Sequence, residues 1–352
     1  MPAIRRSTLK DVAERANVSV TTVSVVLNGR QDGIRVPDAT RERVRRAAAE
    51  LDYRPNQTAR NLRQSSSRTI GFVSDEVTTT PFAVSMLSAA QEVAAENGHL
   101  LFVVNLGHVV RADVQRDAID LLLQHQVTGL VFACMYHQEI EPPATLPDST
   151  VFLNCRALSG PFRSIVPAEQ DAAAAAVRVL LEAGHRRIGY LDDTDAIAAS
   201  RLRLQGYLSA LREYDVTPDP RLHRVTQGTV LGGVEGGALL DLPADVRPTA
   251  IFCFNDRTAM GLYRAARHRG LSVPRDLSIV GFDDQEYIAS ELDPPLTTMR
   301  LPHAEMGRLA IEAALDLDTG YGKWKRGRTK GSSVAMLDCP VVKRESVAPP
   351  PS

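Results

Sequence analysis

From residue 69 onwards, short apolar segments alternate with longer amphipathic ones, and this alternation constrains the fold more than any other feature of the sequence. The strand-like segments are Thr69–Val73, Leu100–Val104, Gly129–Ala133, Val151–Leu153, Arg187–Leu191, Ala250–Phe254 and Ser278–Phe282, and helical stretches cover about 82–97, 112–125, 169–183, 200–214 and 256–268. Apolar strands that are separated by amphipathic helices form parallel sheets with both faces covered. The alternation therefore predicts an α/β body, long enough for two doubly wound subdomains.

The charge of the chain is unevenly distributed, although its net charge is only −1. Residues 1–66 contain thirteen Lys or Arg and seven Asp or Glu, which gives +6, whereas the remaining residues contain 28 and 35, which gives −7. A basic segment of this kind is typical of a domain that binds nucleic acid, but an Arg-rich solvated surface has the same composition. The charge alone does not decide between these two interpretations.

The pattern of residues 1–54 indicates three short helices. A first helix follows the capping residue Thr8 and has its apolar residues at i, i+3, i+4 and i+7, namely Leu9, Val12, Ala13 and Ala16. Asn17 tolerates the left-handed backbone of a tight turn, and Ser19 is suited to cap a second helix over about 20–27. In that helix Val23 and Val26 are expected to point inward, and the residues expected to face outward are Val20, Thr21, Ser24, Val25 and Asn28. With a third helix over about 40–51 as a brace, this arrangement predicts a helix-turn-helix DNA-binding unit.

The sequence resembles the lactose/galactose-repressor (LacI/GalR) family of bacterial transcription regulators. The resemblance is carried by Thr8–Ala13, Val18–Ser24, Leu27–Gly29, Thr40–Val44, Leu51–Asn56 and, near the end of the chain, Pro340–Ser346. It implies a small all-α head and a body with the type I periplasmic-binding-protein-like arrangement, in which the chain crosses between two parallel-sheet subdomains three times.

The resemblance also implies domain boundaries. We expect a helix-turn-helix DNA-binding head at 1–54, a hinge helix and linker at 55–67, and an effector-binding and dimerisation body at 68–352. The N-subdomain is expected at about 68–166 and 300–328, the C-subdomain at about 167–298 and 329–346, and the crossings near 165–169, 296–300 and 320–332.

The resemblance further assigns DNA-contacting residues in the head. Val20, Thr21 and Val25 match positions that read base edges, Thr22, Ser24 and Asn28 match positions that contact phosphates or sugars, and Thr8, Tyr53 and Asn56 complete the set outside the second helix. The family commonly has Arg where this chain has Val25. An Arg reads guanine through two hydrogen bonds worth about 1–3 kcal/mol of discrimination, whereas Val contacts only a thymine methyl group. We therefore expect a half-site without that guanine; the alternative is that Val25 is a buried core residue.

The segment after the head has room for one or two helical turns between Pro55 and the serines at 65–67. An isolated helix shorter than about 12–15 residues is marginal in water, so this one is expected to need support. In the family the corresponding segment is a hinge helix that orders on DNA, pairs across the dimer and inserts a Leu into the minor groove. Leu62 holds that position here, and the small Ala59 precedes it by one turn. The alternative is a plain Ser-rich linker.

Polar residues follow several of the predicted strands, where ligands of open parallel sheets bind. Carboxylates, amides and an Arg at this edge suit a small polyhydroxylated ligand. The resemblance implies that the effector-binding residues are Arg203, Asn255 and Asp283 and, more loosely, Asn154 and Phe82, the last as an apolar wall for a ring face. Asp256 and Asp284 are expected to cap helices. Ala168 and Glu169 stand where many members of the family have Asp-Asn, so contacts in that region are left open.

The sequence contains no motif that favours an enzyme. Gly184 and His185 fit a helix terminus better than a catalytic site, the acidic cluster at 192–195 lacks the spacing of a calcium loop, and the glycines of 228–237 lack the pattern of a phosphate loop. The cysteines, Cys134, Cys155, Cys253 and Cys339, are far apart, as expected for buried thiols in a reducing cytosol. No apolar run approaches the about 20 residues of a spanning helix. We expect no cofactor, no metal and no membrane partner.

The combined hypothesis is a cytoplasmic, homodimeric, sequence-specific transcription regulator, most simply a repressor. It is expected to bind a palindromic double-stranded DNA operator under the control of a small-molecule effector, a sugar or a related metabolite. The alternative is a cytosolic sugar-binding or sugar-modifying protein with a vestigial head.

Overall fold

The computed structural model describes residues 7–28, 36–53, 67–78, 80, 82–107, 111–317, 325–326 and 331–351. The chain divides into two compact units, residues 1–67 and 68–352. Among the helices of the described residues, none combines the length and the apolar character that crossing a membrane requires.

Three helices form the first unit: α1 (Leu9–Ala16), α2 (Val20–Asn28) and α3 (Asp38–Glu50). At the start of α1, the Asp11 carboxylate accepts a hydrogen bond from the backbone N–H of Thr8 at 2.7 Å, and the Thr8 hydroxyl accepts one from the N–H of Asp11 at 3.3 Å. Asn17 adopts the left-handed conformation between α1 and α2 (φ 51°), and the Ser19 hydroxyl accepts a hydrogen bond from the N–H of Thr22 at the start of α2. The predicted helix-turn-helix is confirmed.

The second unit alternates strands and helices as predicted. Its strands are β1 (Thr69–Ser74), β2 (Leu100–Asn105), β3 (Gly129–Ile140), β4 (Val151–Ala157), β5 (Arg163–Pro167), β6 (Ile188–Asp193), β7 (His223–Thr226), β8 (Ala250–Cys253), β9 (Ser278–Val280), β10 (Thr298–Met299), β11 (Lys325–Arg326), β12 (Ser333–Leu337) and β13 (Val341–Val342). Its helices are α4 (Ala83–Glu96), α5 (Ala112–Gln124), α6 (Glu169–Glu182), α7 (Ala198–Glu213), α8 (Val230–Gly236), α9 (Asp256–His268) and α10 (His303–Ala314), with short 3-10 turns at Pro220–Leu222 and Gly237–Asp241. The elements that were not predicted are the strands β5, β7, β10, β11 and β12 and the helices α8 and α10. The segments of β5 and β7 are short and mix polar with apolar residues.

Two parallel sheets organise the body into two subdomains. The first sheet has the strand order β11-β12-β5-β4-β3-β1-β2, with every pair parallel except β11 and β12. The second has the order β7-β6-β8-β9 and is parallel throughout, while β10 and β13 form a separate antiparallel pair. Every residue of β1, β8 and β9 is buried, as expected for strands with both faces covered.

The chain crosses between the two subdomains three times. It leaves the first sheet between β5 and α6, returns between β10 and α10, and leaves again between β12 and β13. The third crossing was predicted at 320–332, and this prediction was wrong. Residues Ser333–Leu337 pair in parallel with Arg163–Pro167, and these hydrogen bonds keep β12 in the first subdomain rather than in the C-subdomain.

A close contact between α6 and α7 fixes one side of the second subdomain. Gly206 lies in the middle of α7, and a methyl group on its Cα would overlap the backbone carbonyl of Gln170 and lie 2.7 Å from the Cβ of Ala173, both in α6. Glycine therefore allows the two helix backbones to approach this closely.

We expect Gly206→Ala to lower the thermal unfolding temperature of the protein, because overpacking of a tight contact costs about 1–3 kcal/mol. Gln205→Ala, at the neighbouring exposed position of α7, is the matched control and should leave stability unchanged or slightly raised, because Ala favours helix. Equal unfolding temperatures for Gly206→Ala and the unsubstituted protein would contradict the close helix packing.

Candidate functional site

The exposed face of α2 carries several of the predicted DNA-contacting residues. Val20 is 45% exposed and Thr21 is also exposed, whereas Thr22 and Ser24 are half-buried. The Thr22 hydroxyl lies 2.9 Å from the Ser19 hydroxyl, so it takes part in the cap of α2. A large apolar side chain and short hydroxyl side chains on one exposed helix are chemically suited to thymine methyl groups and phosphates.

Val25 was predicted to face outward on this helix, and that prediction is wrong. Its side chain is only 7% exposed and belongs to the core of the first unit together with Val23, Val26, Val36 and Val44. The physical reason is that the Val25 side chain has no polar group that needs hydration, so its burial is favourable. Apolar residues occur on several sides of α2, which allows Val25 to pack into the core as well. The alternative interpretation, a core residue, is the correct one.

The remaining predicted contacts in the head divide into two groups. Thr8 is committed to the capping box of α1, and Tyr53 packs half-buried against the core. The side chain of Asn28 and the hinge residues Asn56, Ala59 and Leu62 lie outside the described residues, so their roles stay predictions.

In the second unit, the structure brings all five predicted effector-binding residues to one cavity. It lies between the carboxyl ends of strands from both sheets, and its lining consists of Phe82, Met135, Tyr136, His137, Asn154, Glu169, Ala199, Arg203, Phe254, Asn255, Asp283, Leu301 and His303. Its volume is about 20 Å³, close to that of one water molecule. Pockets for small ligands measure roughly 300–1,000 Å³, so the cavity in this conformation is too small for a sugar.

Arg203 is the centre of the polar contacts around the cavity. Its Nε donates to Glu169 Oε2 at 2.7 Å, one Nη lies 3.5 Å from Asp283 Oδ1, and the other Nη donates to the backbone carbonyl of Phe254. The guanidinium also stacks over the rings of Phe254 and Phe282, at 4.5 and 3.8 Å from the ring centroids. A fully buried cation is thus held by two carboxylates and two aromatic faces.

Burial shifts the proton affinities of this cluster. Burial opposes the charge of Arg203, but Glu169 and Asp283 outweigh it and raise the guanidinium pKa. Burial also raises the pKa of Asp283 to about 6, although Arg203 partly offsets the shift. Asp283 has φ 109°, an uncommon value for a residue with a side chain, and such strain occurs at ligand sites.

Sequence reasoning missed three polar residues of the cavity: Glu169, His137 and His303. Glu169, 2% exposed, begins α6 directly after a chain crossing. His303 begins α10 and stacks on Phe82, with ring centroids 4.5 Å apart and an interplanar angle of 8°. Burial lowers the pKa of both histidines to about 4, so both imidazoles are neutral near pH 7. A signal for Glu169 existed in the sequence, since it replaces the family's Asn at that position.

Two predicted helix caps are not caps. Asn255 caps α9 instead of Asp256: its side-chain oxygen accepts from the N–H of Thr258 at 2.8 Å, and its amide donates to the Gly228 carbonyl at 2.9 Å. Asp256 is fully buried and accepts hydrogen bonds from the Thr298 hydroxyl and the N–H of Gln285. Asp284 is the second residue that was predicted to cap a helix. Its carboxylate instead forms ion pairs with the guanidinium groups of Arg300 and Arg344, at 2.8 and 2.7 Å.

The polar groups that suggested catalysis have structural partners. His185 is buried, with Nδ1 2.8 Å from the Thr249 hydroxyl and Nε2 2.8 Å from the Ala348 carbonyl. Asp193 accepts a hydrogen bond from the N–H of Gly228 at 2.9 Å. Across the described ranges, no three His, Cys, Asp or Glu side chains are grouped to hold a metal ion. All four cysteines are free and buried, as predicted.

We expect His303→Phe to make the protein less sensitive to acid. The wild-type imidazole has a pKa of about 4 when folded, against 6.5 in an exposed histidine, so the stability that it contributes is present above 6.5 and is lost as the pH falls towards 4. Phe keeps the stack on Phe82 and does not titrate. As the pH is lowered from about 7 to about 5, the free energy of unfolding of the variant should rise by about 2 kcal/mol relative to that of the wild type.

The measurement is thermal or urea unfolding of both proteins across this pH range. His268→Gln, at an exposed position of α9, is the control and should follow the wild-type pH dependence. Parallel curves for wild type and His303→Phe would contradict a buried neutral histidine.

Two sequence families match the chain. Residues 8–56 match the bacterial regulatory proteins of the lacI family, and residues 177–347 match the periplasmic binding protein-like domain. The match at residues 8–56 covers the helix-turn-helix. The match at residues 177–347 covers most of the second subdomain and the segment that returns through the first subdomain.

Individual relatives match nearly the whole chain. The ribose operon repressor of Haemophilus influenzae is 35% identical over 312 residues, which is 88% of this chain and 91% of the relative. The transcriptional repressor CytR of Escherichia coli (strain K12) is 34% identical over 344 residues, 97% of this chain and 96% of the relative. The crystal structure of the lac repressor dimer bound to operator and the anti-inducer ONPF matches with a TM-score of 0.80 and 27% identity, over 98% of this chain and 100% of that one. From this architecture and these matches, the chain is a transcriptional regulator of the LacI family.

Proposed function

We propose that the protein is a cytoplasmic homodimer that binds a palindromic DNA operator as a repressor and is controlled by a small-molecule effector, a sugar or a related metabolite. The observation that carries this proposal is the convergence of Arg203, Glu169 and Asp283 with an aromatic wall, Phe82, on one cavity between two subdomains.

The chemistry of the cavity supports a hydroxyl-rich effector. Carboxylates accept hydrogen bonds from hydroxyl groups, and Arg203 supplies donors in a fixed geometry. The stacked rings of Phe82 and His303 provide an apolar wall that suits the less polar face of a sugar or base ring. Both kinds of surface occur together in sites that bind small polar rings.

Effector entry requires the cleft to open, because the cavity is too small for a sugar. Glu139 at the end of β3 and Arg201 at the start of α7 form an ion pair across the cleft, with the carboxylate and the guanidinium 3.2 Å apart. Opening of the cleft separates this pair. An exposed ion pair of this kind contributes about 0–1 kcal/mol, so it does not lock the subdomains together.

DNA binding is proposed for the first unit. Its exposed α2 carries Val20 and Thr21, and the lac repressor relative is a dimer bound to operator. A two-fold dimer with one recognition helix in each half reads an inverted repeat. If effector and operator act on one shared conformational equilibrium, each changes the affinity for the other by the same factor.

We expect saturable binding to a selected operator with a steep salt dependence. Phosphate contacts release counterions, so the affinity should fall by orders of magnitude between low and moderate salt. Operators selected from random DNA and titrated by fluorescence anisotropy test this. Thr21→Ala should weaken operator binding, whereas Glu42→Gln on exposed α3 is the control. Absence of any preferred sequence, together with turnover of a sugar, would favour the sugar-modifying alternative.

We expect Leu62→Ala to lose specific affinity and to keep non-specific affinity. If Leu62 inserts into the minor groove, its removal loses the burial of most of an apolar side chain and should weaken operator binding at least about tenfold. Non-specific binding rests on phosphate contacts and should change little. The measurement is the ratio of the two affinities, with Gln64→Ala in the same segment as control; an equal loss of both affinities would contradict the wedge.

A further inference from the structure

His137 is a buried polar side chain without a hydrogen-bond partner. It lies on β3, is 3% exposed and lines the cavity. Within the described part of the chain, neither of its ring nitrogens makes a hydrogen bond. Buried polar groups are nearly always hydrogen-bonded. Among the described side chains that lack a partner, His137 is the one that lines the cavity, which points to a partner supplied by a bound ligand.

Another buried histidine of the body, His185, lies outside the cavity lining and shows what a structural imidazole looks like here. Its two ring nitrogens contact the Thr249 hydroxyl and the Ala348 carbonyl, and it lies away from the cavity lining. His137 has the same degree of burial without either kind of contact. The difference points to a role for His137 in the cavity rather than in the packing of the sheet.

The nearest charged group does not satisfy His137. Glu169 Oε1 lies 3.8 Å from its Nδ1, which is too long for a hydrogen bond, and the same carboxylate already binds Arg203. Burial keeps the pKa of His137 near 4, so the ring is neutral near pH 7. A neutral imidazole presents one N–H donor and one nitrogen acceptor, and a hydroxyl group matches both because it donates and accepts.

The charges of the lining add a second constraint. Two carboxylates, Glu169 and Asp283, face a single guanidinium, and Arg203 is already committed to both. Arg257 acts on Asp283 but is not part of the lining. A phosphate group in this cavity would meet a surplus of negative charge with no uncommitted cation among the lining residues.

We propose that His137 forms a hydrogen bond with the effector and that, together with Glu169 and Asp283, it restricts the cleft to uncharged polyhydroxylated molecules and excludes their phosphate esters. This inference rests on the proposed function, namely that the cleft binds an effector.

The experiment is isothermal titration of the full chain with matched pairs of ligands: ribose and ribose phosphate, glucose and glucose phosphate, and nucleosides with their monophosphates. At least one uncharged member is expected to bind, with its phosphate ester at least about tenfold weaker. Failure of every uncharged ligand to bind, or an ester that binds as tightly as its parent, would overturn the proposal.

His137→Phe tests the residue itself. The variant should bind the uncharged ligand at least about tenfold more weakly, while its unfolding temperature without ligand stays the same or rises, because an unpartnered polar group has been removed from the interior. His137→Gln keeps a donor and an acceptor and should recover part of the affinity. Unchanged ligand affinity in His137→Phe, or a fall in stability in both variants, would assign His137 a structural role instead.

Operator titration separates this inference from the proposed function. His137→Phe should keep saturable, salt-dependent binding to selected operator DNA without ligand, although its affinity changes if the variant shifts the equilibrium between open and closed cleft. If the wild type shows no salt-dependent operator binding, the proposed function is contradicted. If the wild type binds operator normally but does not discriminate between the paired ligands, only the role of His137 is contradicted.

Discussion

The ion pair between Arg203 and Glu169 is the contact on which the geometry of the cleft depends. Glu169 is the first residue of α6, directly after the chain enters the second subdomain, and Arg203 lies on α7, whose backbone approaches α6 closely at Gly206. The same guanidinium reaches the Phe254 carbonyl and Asp283, at the ends of two strands of the second sheet. Removal of one partner would leave a buried charge uncompensated, which costs about 3–5 kcal/mol. One side chain therefore positions four separate segments around the cavity.

Much of this arrangement follows from the sequence, because parallel sheets place the ends of their strands at one edge. That rule and the family resemblance predict that Asn154, Asn255, Arg203 and Asp283 lie close together, and all of them line the cavity. Contacts at Glu169 were left open because the residue departs from the family pattern, and because it begins a helix after β5, a strand too short and too polar to be recognised. His137 and His303 were missed for a related reason, since a single histidine in a strand or at a helix start has no distinguishing spacing.

Three predictions were wrong for physical reasons that a sequence pattern does not show. Apolar residues occur on several sides of α2, so helical periodicity alone does not determine which of its valines is buried, and Val25 is. The third chain crossing was misplaced because a strand that pairs with β5 has the same composition as one that would pair in the second sheet. Asn255 and Asp256 compete for one cap, and the strong burial of Asp256 beside Thr298 decides the outcome.

Under the proposed function, two polar contributions of opposite sign bear on closure of the cleft. The Arg201–Glu139 pair favours closure by about 0–1 kcal/mol, as is usual for an exposed ion pair. If opening of the cleft exposes His137 to water, its burial without a partner opposes closure by about 1–3 kcal/mol. The apolar contacts between the subdomains must supply the difference, so the closed form has little excess stability from its polar groups. A ligand that provides partners for the buried groups then shifts the equilibrium with only a few hydrogen bonds, because a change of about 1.4 kcal/mol already alters the populations tenfold.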